Sequence, residues 1–193
     1  LYLALATACG FGYLFTGLGA RSSLIHALTT VSTGGFSDRA DSLVSAPGGT
    51  KVVATVFMLI GGVSFFALFW LLRGNHRRFV KSPELRIYLG IIGVVTLSLL
   101  REVDGLSVGD ALFTAASASS TTGLAVTEWT SFPSGALALL LVAVATGAMG
   151  ASAGSGLRVI RAWLLCLFAA REIGRQLDPN AVTLVRHGGR TLD

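Results

Sequence analysis

Two short strings of small, oxygen-bearing residues are the places where this chain could do chemistry: Ser32-Thr33-Gly34-Gly35-Phe36, and Thr121-Thr122-Gly123-Leu124. Neither offers a strong nucleophile or a titratable group. Both offer threonine hydroxyls and peptide carbonyls, and glycine allows backbone angles that aim successive carbonyls at one axis. Such oxygens can take the place of the water around a monovalent cation. One Thr-Gly-Gly-Phe is most often a turn, but two in matched settings point to ion coordination. A third string, Gly150-Ala151-Ser152-Ala153-Gly154-Ser155-Gly156 followed by Leu157 and Arg158, carries two serines. It has no nearby His or Asp to activate them. No Cys/His pair has metal-ligand spacing, and no P-loop or dinucleotide fingerprint occurs, so the sequence argues against an enzyme and against an organic cofactor.

The elements that would position these strings have a repeating order. Each string follows a short small-residue segment, 22–31 and 111–120, that reads as a helix too brief to cross a bilayer. Each pair is bracketed by apolar runs: 1–18, 52–72, 87–100 and 135–150. A spanning helix needs roughly 20 apolar residues. By that measure 52–72 is the clearest crossing, 1–18 is slightly short, and 87–100 reaches full length only if Leu85 and the Arg86 stem extend it. The segment 37–49, with Asp38, Arg39, Asp41 and Pro47, is turn chemistry in water. Trp129 and Phe132 fall where interfacial aromatics belong. A short helix that points its C-terminal end into the membrane presents free carbonyls and partial negative charge to a cation. Irregular backbone at that depth is tolerated only if buried or lining a wet cavity. The fold expected is an all-α membrane protein of tandem helix–pore-helix–helix units.

Composition agrees. The chain is 52% hydrophobic and 13% charged, with a mean hydropathy of +0.71. Soluble domains carry about a quarter charged residues. The net charge of +5 does not imply nucleic acid, because the arginines lie between apolar runs rather than among aromatics on a polar face. Cys9 and Cys166 sit in apolar runs and read as buried packing thiols. His26, on the first short helix, reads as a packing or capping residue. Leu1 is not a start methionine and no basic segment precedes the first apolar run, so a signal peptide is not expected and the chain reads as an internal piece or a mature product.

Eleven of the lysines and arginines lie in 73–86 (Arg73, Arg77, Arg78, Lys81, Arg86) or from Arg158 onward. Arg21, Arg39, Lys51 and Arg101 remain for the other side. The positive-inside rule places 73–86 and the C-terminal tail in the cytoplasm and both Thr-Gly strings toward the outside. Matching Gly34 to Gly123 pairs Thr33 with Thr122 and Ser32 with Thr121, a parallel repeat at an offset of 89. Glu102, Asp104, Asp110 and Glu128 read as solvated outer charges that concentrate cations. No acid within the apolar runs marks a proton relay.

Several motifs in order carry a resemblance. They are His26-Ala27-Leu28-Thr29-Thr30-Val31-Ser32-Thr33-Gly34-Gly35-Phe36-Ser37, Phe57-Met58-Leu59-Ile60-Gly61-Gly62, Glu84-Leu85-Arg86-Ile87-Tyr88-Leu89, Ala111-Leu112-Phe113-Thr114-Ala115-Ala116-Ser117, and Asp178-Pro179-Asn180-Ala181-Val182. Together they resemble the TrkH/KtrB/HKT superfamily of potassium-uptake proteins over nearly the whole chain. In that family four helix–pore–helix repeats surround one pore. The resemblance implies that this chain holds the second repeat (1–72), a cytoplasmic basic linker (73–86), the third repeat (87–175) and a cytoplasmic tail (176–193), with the first and fourth repeats missing. It implies a potassium ion held by carbonyls of Ser32, Thr33, Gly34, Gly35 and Phe36 and of Thr121, Thr122, Gly123 and Leu124. It implies a multi-pass protein of the cell membrane, a homodimer, and a cytosolic nucleotide-binding regulatory ring as partner. It also places a gate loop at Gly150, Ser152, Gly154, Ser155, Gly156 and Arg158. Here the family pattern has a few further residues and a lysine where this chain has Arg158.

Other readings remain open on the residues alone. Gly150 and Gly154 form a GxxxG, which also suits close helix packing. A non-conducting assembly or regulatory subunit fits the missing repeats. An intramembrane serine hydrolase would use Ser152 or Ser155.

Overall fold

The computed structural model describes residues 1–177, 185–187 and 190–192. Nine α-helices occur among the described residues: α1 (Tyr2–Phe15), α2 (Ala20–Val31), α3 (Gly48–Gly62), α4 (Phe65–Leu72), α5 (His76–Val80), α6 (Pro83–Glu102), α7 (Val108–Ser119), α8 (Ser134–Thr146) and α9 (Val159–Leu177). A 3-10 turn covers Trp129–Ser131. In the tail, β1 (Val185–His187) pairs antiparallel with β2 (Arg190–Leu192), a hairpin that a linker reading of 176–193 did not foresee. The Asp178-Pro179-Asn180-Ala181-Val182 motif lies outside the described residues.

The chain builds the same three-helix arrangement twice. In the first half α1 packs on α2 and α3; in the second α6 packs on α7 and α8. Two apolar cores form, and each draws on both halves. One gathers Cys9, Tyr13, Val31, Met58 and Leu124; the other gathers Tyr88, Val95, Leu99, Ala136 and Met149. Helix α7 belongs to both. Its Phe113 and Ala116 enter the first core, and Ala111, Ala115 and Ala118 the second. That is why a 12-residue helix of small side chains is buried along most of its length.

Helix ends follow local chemistry. Ser107 caps α7 by accepting from the Asp110 N–H at 3.1 Å, while its hydroxyl donates to the Asp110 carboxylate at 2.8 Å. Asp110 also meets Lys51 at 3.2 Å, so it is a tie between α7 and α3 rather than a free outer charge. Glu102, Asp104 and Glu128 are exposed, as expected. Trp129 and Phe132 pack against the second core. Cys9 is buried, but Cys166 is exposed, contrary to the packing role expected of both. On an amphipathic helix such as α9 an apolar neighbourhood in sequence does not place a residue inside.

The largest departure is in 52–72. Instead of one straight crossing, α3 ends at Gly62 and α4 starts at Phe65, at 103° to it. Val63 is extended (φ −82°, ψ 144°). Likewise the last crossing does not run to Gly150: α8 stops at Thr146, and Gly147 turns with φ +69°. Helix α6 is long and apolar enough to cross a membrane, α3 with α4 would be a second such length if counted as one bent span, and α1 and α8 are shorter apolar helices.

Candidate ion-coordination site

Both short helices end alike. Helix α2 closes on Ser32 and α7 on Ser120, each in the α region. The next residue, Thr33 or Thr121, is left-handed (φ +54° and +59°), and two positions further on Gly35 and Gly123 have φ +68° and +84°. Gly34 N–H donates to Thr29 carbonyl at 2.8 Å; Thr122 N–H donates to Ser117 carbonyl at 3.0 Å. Each threonine hydroxyl donates to the serine carbonyl before it, at 2.7 Å in both bends. All of these pairs are 88 residues apart, as are the two helices from end to end. The offset of 89 is therefore corrected by one residue: Gly35, not Gly34, corresponds to Gly123, and Thr33 corresponds to Thr121. A Gly-Gly pair faces a single Gly in sequence, and only the backbone angles decide which glycine matches.

The two bends touch. A Cβ on Gly35 would collide with the Thr122 carbonyl oxygen and sit 3.4 Å from the Gly123 carbonyl carbon. A glycine here lets two backbones approach side by side. The bends are also strapped from outside: Leu43 N–H donates to Ala125 carbonyl at 3.0 Å, and Ala125 N–H to Ser42 hydroxyl at 3.1 Å. Ser42 adopts φ +54°, and Leu43 is fully buried, so the outer loop is an inserted strap rather than free turn chemistry.

Among the described residues the carbonyls of Thr33, Gly34, Thr121 and Thr122 accept no protein hydrogen bond. Thr122 is buried, Thr33 and Thr121 are half-buried and Gly34 is exposed, so water or an ion can reach these oxygens. Ser32 carbonyl is taken by the Thr33 hydroxyl, and Leu124 carbonyl by Ser117 hydroxyl at 2.7 Å. Phe36 is largely exposed and Leu124 fully buried.

Beneath the bends lies the segment 147–158, irregular throughout. The Thr33 hydroxyl hydrogen is shared, reaching the Ala153 carbonyl at 3.1 Å as well as the Ser32 carbonyl. Ser155 N–H and hydroxyl reach Thr121 hydroxyl at 2.8 and 2.9 Å. The equivalent threonines of the two bends thus each hold this one segment. Its other side fills the break between α3 and α4: Met149 N–H donates to Gly62 carbonyl (3.0 Å), Ala153 N–H to Gly61 carbonyl (3.1 Å), and Phe65 N–H to Ala151 carbonyl (2.9 Å). Two interrupted helices satisfy each other's freed backbone groups, which irregular backbone in an apolar setting requires. Gly154 is needed for contact, since a Cβ there would meet Ser120 carbonyl at 2.8 Å. Arg158 is left-handed at φ +71°. Gly150 N–H is held by the Glu84 carboxylate. Sequence gives Glu84 only as the start of the 84–89 motif and gives Ala153 no role: basic residues surround Glu84, and Ala153 acts through its backbone N–H and carbonyl.

His26 is fully buried behind the first bend. Its Nε2 lies 3.3 Å from Asp38 Oδ1 and 3.5 Å from Ser37 Oγ. Serine and carboxylate meet the same ring nitrogen, so the trio cannot relay a proton as a hydrolase triad does. It ties the exit of the bend to α2, a packing role as expected. Ser22 hydroxyl donates to Asp38. That bond, more than the nearby His26 and Arg21, holds the Asp38 carboxyl below the usual carboxylate range. Among the described residues no group of His, Cys, Asp and Glu could hold a metal ion.

Comparison with known proteins gives the family and the fold. Residues 12–193 match the TrkH family, described as cation transport proteins. The Trk system potassium uptake protein TrkH of Escherichia coli K12 is 30% identical over 203 residues, covering all of this chain and 42% of that protein. TrkH of Vibrio parahaemolyticus is 31% identical over 204 residues, with the same coverage. The crystal structure of the potassium transporter TrkH from Vibrio parahaemolyticus superposes with a TM-score of 0.89 at 30% identity, over 99% of this chain and 43% of that one. The chain therefore spans about two fifths of the length of these relatives. It is an all-helical core of the same fold, and it belongs to the TrkH family of cation transport proteins.

Proposed function

We propose that the chain forms two adjoining quarters of a potassium pore in the cell membrane. Residues 1–72 and 87–175 are its helix–pore–helix repeats, joined by the cytoplasmic linker 73–86. The carbonyls of Thr33, Gly34, Thr121 and Thr122 are the coordinating oxygens, and Gly35 and Gly123 set their direction. The observation that supports this is the contact of Gly35 with the Thr122 carbonyl, which sets the two bends side by side. Neutral carbonyl dipoles suit potassium, whose hydration shell is loosely held and can be exchanged for such oxygens. The segment 147–158, hydrogen-bonded to the threonine of each bend, is the gate. Two further repeats of a longer polypeptide close the ring. That polypeptide is multi-pass, pairs as a homodimer in the bilayer, and presents its basic cytoplasmic segments to a nucleotide-binding regulatory ring. Ion transport of this kind needs no organic cofactor and no chemical step. Ser152 hydroxyl donates to Met149 carbonyl and Ser155 to Thr121, so neither is poised as a nucleophile.

Growth of a potassium-uptake-deficient host at low external potassium, with the full-length protein expressed, tests the reading. Wild type should restore growth. Gly35→Ser and Gly123→Ser should each abolish it while leaving membrane insertion intact. Equal growth of all three would reject the assignment.

A further inference from the structure

The 147–158 segment is held from several directions, and one anchor differs in kind from the rest. Met149, Ala153 and Ser155 N–H groups find oxygens of the α3 end and of the second bend. Ala148 N–H finds Ser155 carbonyl within the segment. Gly150 N–H alone is received by a carboxylate, that of Glu84. Glu84 lies in the first turn of α6, where the helix dipole favours its charge. A Cβ on Gly150 would meet Glu84 Oε1 at 3.2 Å, so glycine leaves room for this approach. One turn along the same face, Tyr88 is fully buried, and its hydroxyl fills the space beside Gly62 at the α3–α4 break. That hydroxyl has no hydrogen-bond partner among the described residues. The same face of α6 thus meets both interruptions. Helix α6 begins at Pro83, directly after the basic segment that includes α5, with Ser82 as its cap.

We infer that Glu84 is a positioning residue: it sets the height of the 147–158 segment beneath the two bends and transmits displacement of the basic 73–82 segment to it. The inference rests on the reading of 147–158 as a gate. A charge-assisted bond to a backbone N–H is stronger than a neutral one and depends on reach. Movement of the α6 start therefore pulls on Gly150, and through Ala153 and Ser155 on Thr33 and Thr121.

Hydrogen exchange over 147–158, read by mass spectrometry on the full-length protein in lipid nanodiscs, tests the anchor without reference to transport. Glu84→Ala should speed exchange there by about tenfold, the loss expected for one charge-assisted hydrogen bond. Glu84→Asp keeps the charge but is one methylene short and should behave like Ala. Glu84→Gln keeps an acceptor oxygen at full reach and should restore most of the protection. If Glu84→Ala loosens the whole helical core, the contrast between Asp and Gln still decides. Wild-type protection in both Ala and Asp, or exchange in Gln as fast as in Ala, would overturn the inference. In parallel, Rb⁺ flux into proteoliposomes should rise about fivefold or more in Glu84→Asp with the K⁺/Na⁺ ratio unchanged, since about 1 kcal/mol corresponds to that factor. Unchanged flux alongside fast exchange would also overturn the gating role. Absence of flux in wild type would instead reject the pore reading and leave the exchange result standing.

Discussion

Glycine is needed at 35 and at 123 for different reasons. Both residues are left-handed, which costs an L side chain about 1–2 kcal/mol. Gly35 also faces the Thr122 carbonyl, whereas the space around Gly123 is open. Gly34 is neither left-handed nor crowded by backbone; an added Cβ would meet Ser32 Oγ at 3.2 Å. Rb⁺ flux should therefore fall in the order Gly35→Ala, more than about tenfold, then Gly123→Ala, then Gly34→Ala with the smallest loss. A second expectation concerns Asp38, whose carboxyl is held below its ordinary value first by the Ser22 hydroxyl. A depressed carboxylate contributes stability above its unfolded value, near pH 4, and loses it as pH falls through the folded value. Ser22→Ala should lower the thermal midpoint at pH 6 and lower it less at pH 3. An equal loss at both pH values would show that the bond acts by packing rather than through the charge.

At the scale of elements, the short helices and the interruption before α9 were legible and the α3–α4 break was not. Ser, Thr and Ala between apolar runs, ended by Thr-Gly, mark α2 and α7 in the sequence, and both form within a few residues of the expected bounds. The α3–α4 break hides because Phe57 to Leu72 carries no charge and one polar side chain, Ser64, and a Gly-Gly pair also suits close packing in membrane helices. What breaks the helix is non-local: the N–H groups of Met149 and Ala153 take the Gly61 and Gly62 carbonyls, and Tyr88 fills the space beside Gly62. Gly62→Ala should accordingly destabilise the protein by about 1–3 kcal/mol, the usual range for overpacking. Tyr88→Phe, which removes the colliding oxygen but keeps the ring, should recover part of that loss. Thermal unfolding of the single and double variants in detergent would check it. Additive losses would place the strain elsewhere.

For the whole molecule, two apolar cores share α7, and the loop through Ser42 and Leu43 ties the two bends. Leu43 is fully buried while the adjacent Val44 is exposed, so its role could not be read from local pattern. Leu43→Ala should cost about 2–5 kcal/mol, as truncation of a buried leucine does, and should loosen both bends together because its N–H holds Ala125. The Lys51–Asp110 pair joins the halves as well, but a half-exposed ion pair contributes at most about 1 kcal/mol. What the sequence could not reveal at this scale is the one-residue change in repeat register, since the match is made by backbone angles at Thr33, Thr121, Gly35 and Gly123. The most direct test of the central claim is a Rb⁺-soaked crystal of the full-length protein, with anomalous scattering used to find the ion. The account predicts a peak in direct contact with the carbonyl oxygens of Thr33 or Gly34 and of Thr121 or Thr122 together. Ions found only elsewhere, or bends that coordinate nothing in saturating Rb⁺, would contradict it.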